Sequence, residues 1–218
     1  MERALLSMYI IRFCQAHAFQ KPNDPLGLQL MTHAATQVME QAKDIIMAFG
    51  ESDEYSFVFR KSTTYFERRE DKILTTITSI FSSSYVFYWE KYFKEKLKFV
   101  PSFDGRIILY PDIKILRDYF SWRQVDTHVN NLYNTTFWAL VLKGGKCEKE
   151  AHEILKGSNS GTKNEILHEQ FKINYNNEPQ MYKKGTTLLK EESGIMPYYE
   201  DIIANEFWDK HNIEKLII

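Results

Sequence analysis

Residues 44–60, DIIMAFGESDEYSFVFR, constrain the fold more than any other stretch of the chain. Two apolar runs flank a polar tip. Ile45, Ile46, Met47, Ala48 and Phe49 form a run suited to a buried strand. Tyr55, Phe57 and Phe59 alternate with Ser56 and Val58, as in a strand packed more heavily on one face. Gly50 to Glu54 reads as the turn of a hairpin, and it holds three acids, Glu51, Asp53 and Glu54. A hairpin tip takes polar residues and a glycine, so an ordinary turn accounts for the stretch. A metal site accounts for it too. Acids crowded at a strand end repel one another unless a cation neutralises them, and Mg²⁺ takes one or two carboxylates together with phosphate oxygens.

The segments around the hairpin supply a fold. Residues 8–13 (MYIIRF) read as a strand. Asp24 as N-cap and Pro25 in the first turn start a helix that runs to about Lys43. Its apolar stripe is Leu28, Met31, Ala35, Val38, Met39 and Ala42, spaced by threes and fours. A long helix is predicted over residues 64–93, then a strand over 103–110 (FDGRIILY) closed by Pro111. The order strand, helix, strand, strand, helix, strand is that of an α+β, ferredoxin-like βαββαβ unit, an antiparallel sheet with both helices on one face. Polymerase palms and nucleotide cyclases share this architecture and place carboxylates at the end of the first strand and in the middle hairpin. The fold by itself does not fix a function.

Beyond Pro111 the chain turns mostly helical. Residues 112–121 and 122–143 read as two amphipathic stretches, 148–156 and 163–171 as shorter helices, and 157–161 (GSNSG) as a flexible loop. Residues 172–185 are polar and irregular, 186–190 suit a strand, and the tail from Glu191 has no clear pattern. The expected division is a palm-like catalytic domain over 1–111, a helical part over 112–190 and a tail over 191–218.

Composition narrows the classes. With 44% hydrophobic and 15% aromatic residues in 218, the chain can fill a sizeable core. A formal charge of −1 announces no global basic field, so any nucleic-acid contact falls on a local patch. Cys14 and Cys147 give neither a disulfide framework nor metal spacing. No apolar run reaches the ~18 residues of a membrane span. The start, MERALLSMYIIRF, lacks the long apolar run and small-residue cleavage site of a signal peptide. Walker, CxxC, HExxH and GxSxG motifs are absent, so P-loop, zinc and serine-hydrolase readings lack support.

Three polar constellations stand out. Arg68, Arg69 and Lys72 open the long predicted helix; Arg68 and Lys72, four apart, share a face that suits a triphosphate or a nucleic-acid backbone, or simply a solvated face beside Glu67, Glu70 and Asp71. Residues 126–134 (DTHVNNLYN) crowd an acid, a histidine and three asparagines into one helical stretch, although asparagine is a poor helix former. His128, Asn131 and Asn134 fall on one side, which could read base edges, hold a phosphate or join two helices. Residues 172–178 (KINYNNE), followed by YKKG, suit either a plain loop or RNA contact through stacking and phosphates.

Taken in order, Lys21-Pro22-Asn23-Asp24, residues 49–57 (FGESDEYSF), Arg68-Arg69 with Lys72, Ser121-Trp122-Arg123, residues 128–135 (HVNNLYNT) and residues 174–178 (NYNNE) resemble the tRNA(His) guanylyltransferase family of eukaryotic type. The resemblance covers roughly Phe19 to Leu189. It implies an enzyme that adds a guanosine to the 5′ end of tRNA(His): ATP activates the 5′-phosphate, the 3′-hydroxyl of GTP attacks, and pyrophosphate is removed. It implies a palm with two Mg²⁺ ions, a homotetramer, and no membrane attachment. The implied compartment is the cytoplasm, with the nucleus or mitochondrion as alternatives. By the same resemblance Asp53 is the metal-binding acid, Glu54 its adjoining catalytic acid and Ser52 a nucleotide contact. Lys21, Asn23, Asp24, Arg68, Arg69 and Lys72 meet the nucleotide, and His128, Asn130, Asn131, Asn134, Asn174 and Asn177 belong to tRNA-handling segments.

One departure stands against these matches. The family carries an Asp-Gly at the end of its first strand, the Asp being the second metal carboxylate. An ungapped count back from Lys21 puts Leu6-Ser7 there, and a gapped one puts Phe13-Cys14 there. Neither supplies a carboxylate, and Glu2 is the one acid before Asp24. Leucine or cysteine cannot replace aspartate on Mg²⁺. The resulting expectation is a truncated or altered start, with little guanylyltransferase activity in the chain as it stands. The alternative is a catalytically impaired subunit that binds tRNA or joins active copies.

Overall fold

A computed structural model describes residues 3–10 and 13–217. In chain order the elements are β1 (Arg3–Ile10), α1 (Phe13–Ala16), α2 (Pro25–Gln41), β2 (Ile45–Glu51), β3 (Glu54–Phe59), α3 (Glu70–Phe87), α4 (Trp89–Tyr92) and β4 (Phe103–Tyr110). Then follow α5 (Ile113–Leu142), α6 (Glu148–Leu155), α7 (Ser160–Phe171), α8 (Gln180–Lys184), β5 (Thr186–Glu191), β6 (Gly194–Tyr198), α9 (Asn205–Lys210) and α10 (Ile213–Ile217). Among the described residues six strands form one sheet in the order β4-β1-β3-β2-β5-β6, with every neighbouring pair antiparallel.

The hairpin β2–β3 lies at the centre of that order. The unbroken apolar run of β2 is explained by burial on both faces, as a strand inside a covered sheet requires. Ile45 and Ala48 join Tyr55, Phe57 and Phe59 under α2 and α3, with Leu30, Val38, Ile77 and Phe81. Ile46, Met47, Phe49 and Val58 face the opposite side, where Leu116 and Phe120 of α5 meet Phe207 and Trp208 of α9 and Ile213 and Ile217 of α10. A bulge at Ile46, between the pairs Ile45–Phe59 and Met47–Val58, lets three adjacent apolar residues serve two faces. Helices α2 and α3 do share one face, as the pattern predicts; the other face is covered by α5 and by the tail, for which the sequence offered no assignment.

Several boundaries differ from expectation. The strand predicted at 8–13 runs instead over Arg3–Ile10. Residues 11 and 12 lie outside the described residues, and Phe13 leaves the sheet for an aromatic nest with Phe19, Tyr85, Trp89 and Phe99. The helix predicted over 64–93 begins only at Glu70, because Phe66, Glu67 and Arg68 take φ of 48°, 57° and 61°, a left-handed turn that no right-handed helix can continue through. It also ends at Phe87, with α4 as a separate short turn. Conversely, the two stretches on either side of Trp122 are one 30-residue helix, α5, capped by the Asp112 side chain on the amide of Ile115.

The two halves of α5 do different work. Its first half packs on the sheet, while Leu132, Phe137, Ala139 and Leu140 in the second half leave the sheet and support Ala151 and Leu155 of α6 and Leu167 of α7. Residues 172–185, irregular by pattern, contain a 3-10 turn (Tyr175–Asn177) and α8.

Trp208 is the anchor of the tail, fully buried and donating its indole N–H to the carbonyl of Ile202 at 2.8 Å. Trp208→Ala is expected to cost about 3–5 kcal/mol of stability, the range for emptying a large aromatic site, measured as a lower urea midpoint at unchanged slope.

Candidate active site

At the tip of the central hairpin Glu51 pairs with Glu54, so the loop is the two residues Ser52 and Asp53. Ser52 has φ of 50°, in the region that glycine enters most readily. Immediately inside the turn, Tyr55 lies across Gly50, where a Cβ would fall 2.3 Å from the Tyr55 ring. The Tyr55 hydroxyl meets Thr32 Oγ1 of α2 at 2.9 Å, which ties the turn to α2. Burial pushes the phenol well above its ordinary range, so it remains a neutral hydrogen-bonding group.

The loop before α2 closes one side of the site. Asp24 is the N-cap: its Oδ1 accepts from the amides of Leu26 and Gly27, and its Oδ2 from the amide of Gln20. Asn23 donates through Nδ2 to Asn131 Oδ1 of α5 at 2.9 Å, and Asn131 donates in turn to the Tyr175 hydroxyl at 2.9 Å. One buried amide thus joins three segments far apart in sequence. Lys21 Nζ lies 5.6 Å from the centroid of the Trp138 ring.

The other side is electrostatic. Arg123 of α5 reaches the hairpin with Nη2 at 3.0 Å from both Glu51 Oε2 and Glu54 Oε2, while Nη1 donates to Asp126 at 3.1 Å. Asn130 donates to the second oxygen of Glu51 at 3.2 Å. The Arg123 side chain is 10% exposed, and Trp122 stacks over its guanidinium at 4.9 Å. Burial pushes the Glu51 carboxyl up, against the pull of Arg123 and the hydrogen bond from Asn130. Burial also pushes Asp53 up, opposed by its own backbone amide; Glu54 adds to the rise, and Ser52 and Lys21 oppose it.

These parts enclose two adjoining clefts that share Pro22, Asn23, Leu28, Met31 and Ser52. The first is lined by Gly50, Glu51, Asn130, Asn131, Asn134 and Tyr182 among others, and the second by Lys21, Asp24, Asp53 and Tyr85 among others; each has a volume of about 70 Å³.

Residues 10–111 match the family described as tRNAHis guanylyltransferase, and residues 114–213 match the Thg1 C terminal domain. A probable tRNA(His) guanylyltransferase of Drosophila melanogaster is 51% identical over 208 residues, covering 92% of this chain and 73% of its own length. The chain belongs to the tRNA(His) guanylyltransferase family. The crystal structure of the tRNA(His) guanylyltransferase from Saccharomyces cerevisiae matches with a TM-score of 0.85 at 44% identity, over 92% of this chain and 90% of that one. A bacterial tRNA(His) guanylyltransferase-like protein in complex with ATP shares the fold, with a TM-score of 0.81 at 20% identity over 99% of this chain and 90% of its own.

With the family in hand, the residues can be sorted by position. Lys21, Asn23, Ser52, Asp53, Asn130, Asn131 and Asn134 come together around the clefts. Asp24 lines the second cleft, but its oxygens are occupied as a helix cap. Glu54 lines neither cleft and pairs with Arg123. His128 stands behind Tyr175, whose hydroxyl meets its carbonyl, and burial with Lys184 and Lys183 holds its imidazole below the ordinary value. Asn174 caps the 3-10 turn by accepting from the amide of Asn176, and Asn177 is exposed at the end of that turn. Arg68 and Lys72 do not share a helix face. Arg68 lies in the left-handed turn ahead of α3, and its guanidinium donates to the carbonyls of Lys61 and Thr63. With Arg69 and Lys72 it follows the far end of β3, about 17 Å from the tip at ~3.3 Å per residue.

Sequence reasoning placed Arg123 and Tyr175 within matching motifs but gave neither a role. Three acids at one turn demanded a countercharge, and the Trp-Arg-Gln run supplies it, but no spacing rule links positions seventy residues apart.

The family's metal can be tested against these donors. Among the described residues no three His, Cys, Asp or Glu side chains gather closely enough to cage an ion. Mg²⁺ needs no such cage, because substrate phosphates complete its shell. Asp53, half-buried and lining a cleft, fits an ion shared with phosphates; Glu51 and Glu54 are both paired with the one guanidinium of Arg123. The register also limits the first strand. Leu6 and Ser7 pair with Phe57 and Ser56 in mid-sheet, so the ungapped placement does not reach Asp53, while Phe13 falls past the strand in α1. Tyr9, paired with Glu54, and Ile10 form the end of β1 beside the turn.

Asn131→Ala leaves the buried ends of Asn23 and Tyr175 without their shared partner. The expected loss is about 1–3 kcal/mol, against about 1 kcal/mol for removing the cap in Asp24→Ala. Thermal denaturation of the two variants side by side checks the order.

Proposed function

We propose that this protein adds a guanosine to the 5′ end of tRNA(His), the reaction for which its relatives are named. The observation that carries the reading is the convergence of the loop at 21–24, the Ser52–Asp53 turn and the asparagines of α5 on one pair of clefts. The strand order β4-β1-β3-β2 with α2 and α3 on one face supports reading residues 1–111 as a ferredoxin-like palm. Residues 112–190 are then the tRNA-handling part and 191–218 the tail that seals the back of the sheet.

In the first step a 5′-phosphate oxygen of the tRNA attacks the α-phosphorus of ATP and pyrophosphate leaves. In the second the 3′-hydroxyl of GTP attacks the tRNA phosphate, AMP leaves, and pyrophosphate is later removed from the added nucleotide. The side chains provide orientation and charge. Asp53 would hold Mg²⁺ against the triphosphate, with the ion supplying charge neutralisation for the attacking and leaving oxygens. Lys21, free to exchange the Trp138 ring for a phosphate, adds a second positive charge, and Ser52 donates from the turn. Asn130, Asn131 and Asn134 present amides to sugar or base edges, and His128, Asn174 and Asn177 lie on the tRNA side. Arg68, Arg69 and Lys72, too far from the turn of their own chain, serve a triphosphate bound by another subunit of a homotetramer. A protein of this fold solved with ATP supports nucleotide binding. No described helix is long and apolar enough to cross a membrane, and the proposed site of action is the cytoplasm.

The test is guanosine addition to 5′-monophosphorylated tRNA(His) with ATP, GTP and Mg²⁺. Product one nucleotide longer is expected, and Asp53→Ala is expected to lower its rate about a hundredfold or more, the value of some 3 kcal/mol of lost charge stabilisation. If product forms only after an Asp-Gly is built into the end of β1, the chain is instead an impaired tRNA-binding or oligomer-forming subunit.

A further inference from the structure

The Ser52–Asp53 turn is bounded by two acids that face each other across the hairpin, and a single nitrogen of Arg123 touches both. Arg123 itself lines neither cleft. It sits behind the turn, under Trp122, with its other terminal nitrogen on Asp126 one helical turn along α5. Asn130, two turns along, takes the remaining oxygen of Glu51. Arg123 holds the stems of the turn from outside both clefts, while Glu51 and Asn130 also line the first. This matters because Ser52 occupies a backbone region that a serine enters at a cost, so the turn needs an external hold to keep one conformation.

We propose that Arg123 is a positioning residue for the reaction: by clamping Glu51 and Glu54 it fixes the Ser52–Asp53 turn, aims the Asp53 carboxylate into the cleft, and keeps both flanking acids away from the ion that Asp53 holds. A fork is needed for this. A lysine would restore the charge as one point donor, yet could not hold two strands and Asp126 at once. The role differs from bulk packing, since α5 is anchored on the sheet independently by Leu116 and Phe120, both fully buried. It rests on the proposed guanosine addition for its kinetic consequence, but not for its structural one.

Three proteins decide the matter: wild type, Arg123→Lys, and Leu116→Ala as a control that loosens the other end of α5. Amide hydrogen exchange over residues 50–55 is expected to rise about tenfold or more in Arg123→Lys relative to both other proteins. The Kd for GTP, from titration calorimetry, should stay within about threefold of wild type, while the single-turnover rate falls by about tenfold or more, the pattern of an interaction spent on geometry rather than on binding. The proposal is overturned if the exchange of the turn in Arg123→Lys stays within about twofold of wild type, or if Leu116→Ala reproduces the same exchange and rate changes. Should wild type add no guanosine at all, the functional reading fails, and the exchange comparison alone decides the role of Arg123.

Discussion

Burial of the β2–β3 hairpin on both faces of the sheet places the Ser52–Asp53 turn before any polar contact is made. Phe57, Phe59 and Ala48 are held by α2 and α3, while Met47, Phe49 and Val58 are held by α5, α9 and α10. Two strands fixed from both sides cannot slip in register without moving every side chain to the wrong layer. Close approach adds to this. A Cβ at Gly185 would lie 2.7 Å from the Gly50 carbonyl, so β5 and β2 meet through two glycines just where the turn leaves the sheet. The positions of Glu51, Asp53 and Glu54 follow from the apolar frame, and the polar site is built onto it.

That placement creates an electrostatic problem which α5 solves. Three carboxylates within four residues would each resist ionisation as they lose water. The guanidinium of Arg123 pairs with two of them, Glu51 and Glu54, while Asp53 lines the second cleft. The same helix carries Asn130 to Glu51 and Asn131 to Asn23 and Tyr175. One rigid rod therefore registers the hairpin, the loop before α2 and the segment after α7 against one another. Because its second half extends beyond the sheet to support α6 and α7, the cleft and the helical part share a single spine.

Much of this was legible in the chain. The apolar runs of β2 and β3, the Asp24-Pro25 helix start and the strand after Gly185 were readable because each is a local pattern with a local cause. The acidic tip was readable as a hairpin turn for the same reason. The failures have physical causes as well. The left-handed turn at Phe66–Arg68 carries no glycine or asparagine to announce it, so Arg68 and Lys72 seemed to share a helix they do not share. The end of β1 was misplaced because Ile11 and Phe13 are as apolar as any strand residue, and tertiary packing of Phe13 on Tyr85 and Trp89 decides against the sheet. The capture of Glu51 and Glu54 by Arg123 joins positions whose separation no periodicity encodes. The tail was opaque because its short helices bury isolated residues, Trp208 and Ile213 among them, rather than a repeating stripe.

The contact of Lys21 with Trp138 gives the molecule an optical readout of its own. Of the four tryptophans, Trp89 and Trp208 are sealed in the two cores and Trp122 covers Arg123, while Trp138 shares its ring face with a cation from the cleft loop. An ammonium over an indole perturbs its excited state, and that perturbation vanishes when the ammonium turns toward an anion. Emission from this one ring is therefore where a change in the Lys21 contact would show.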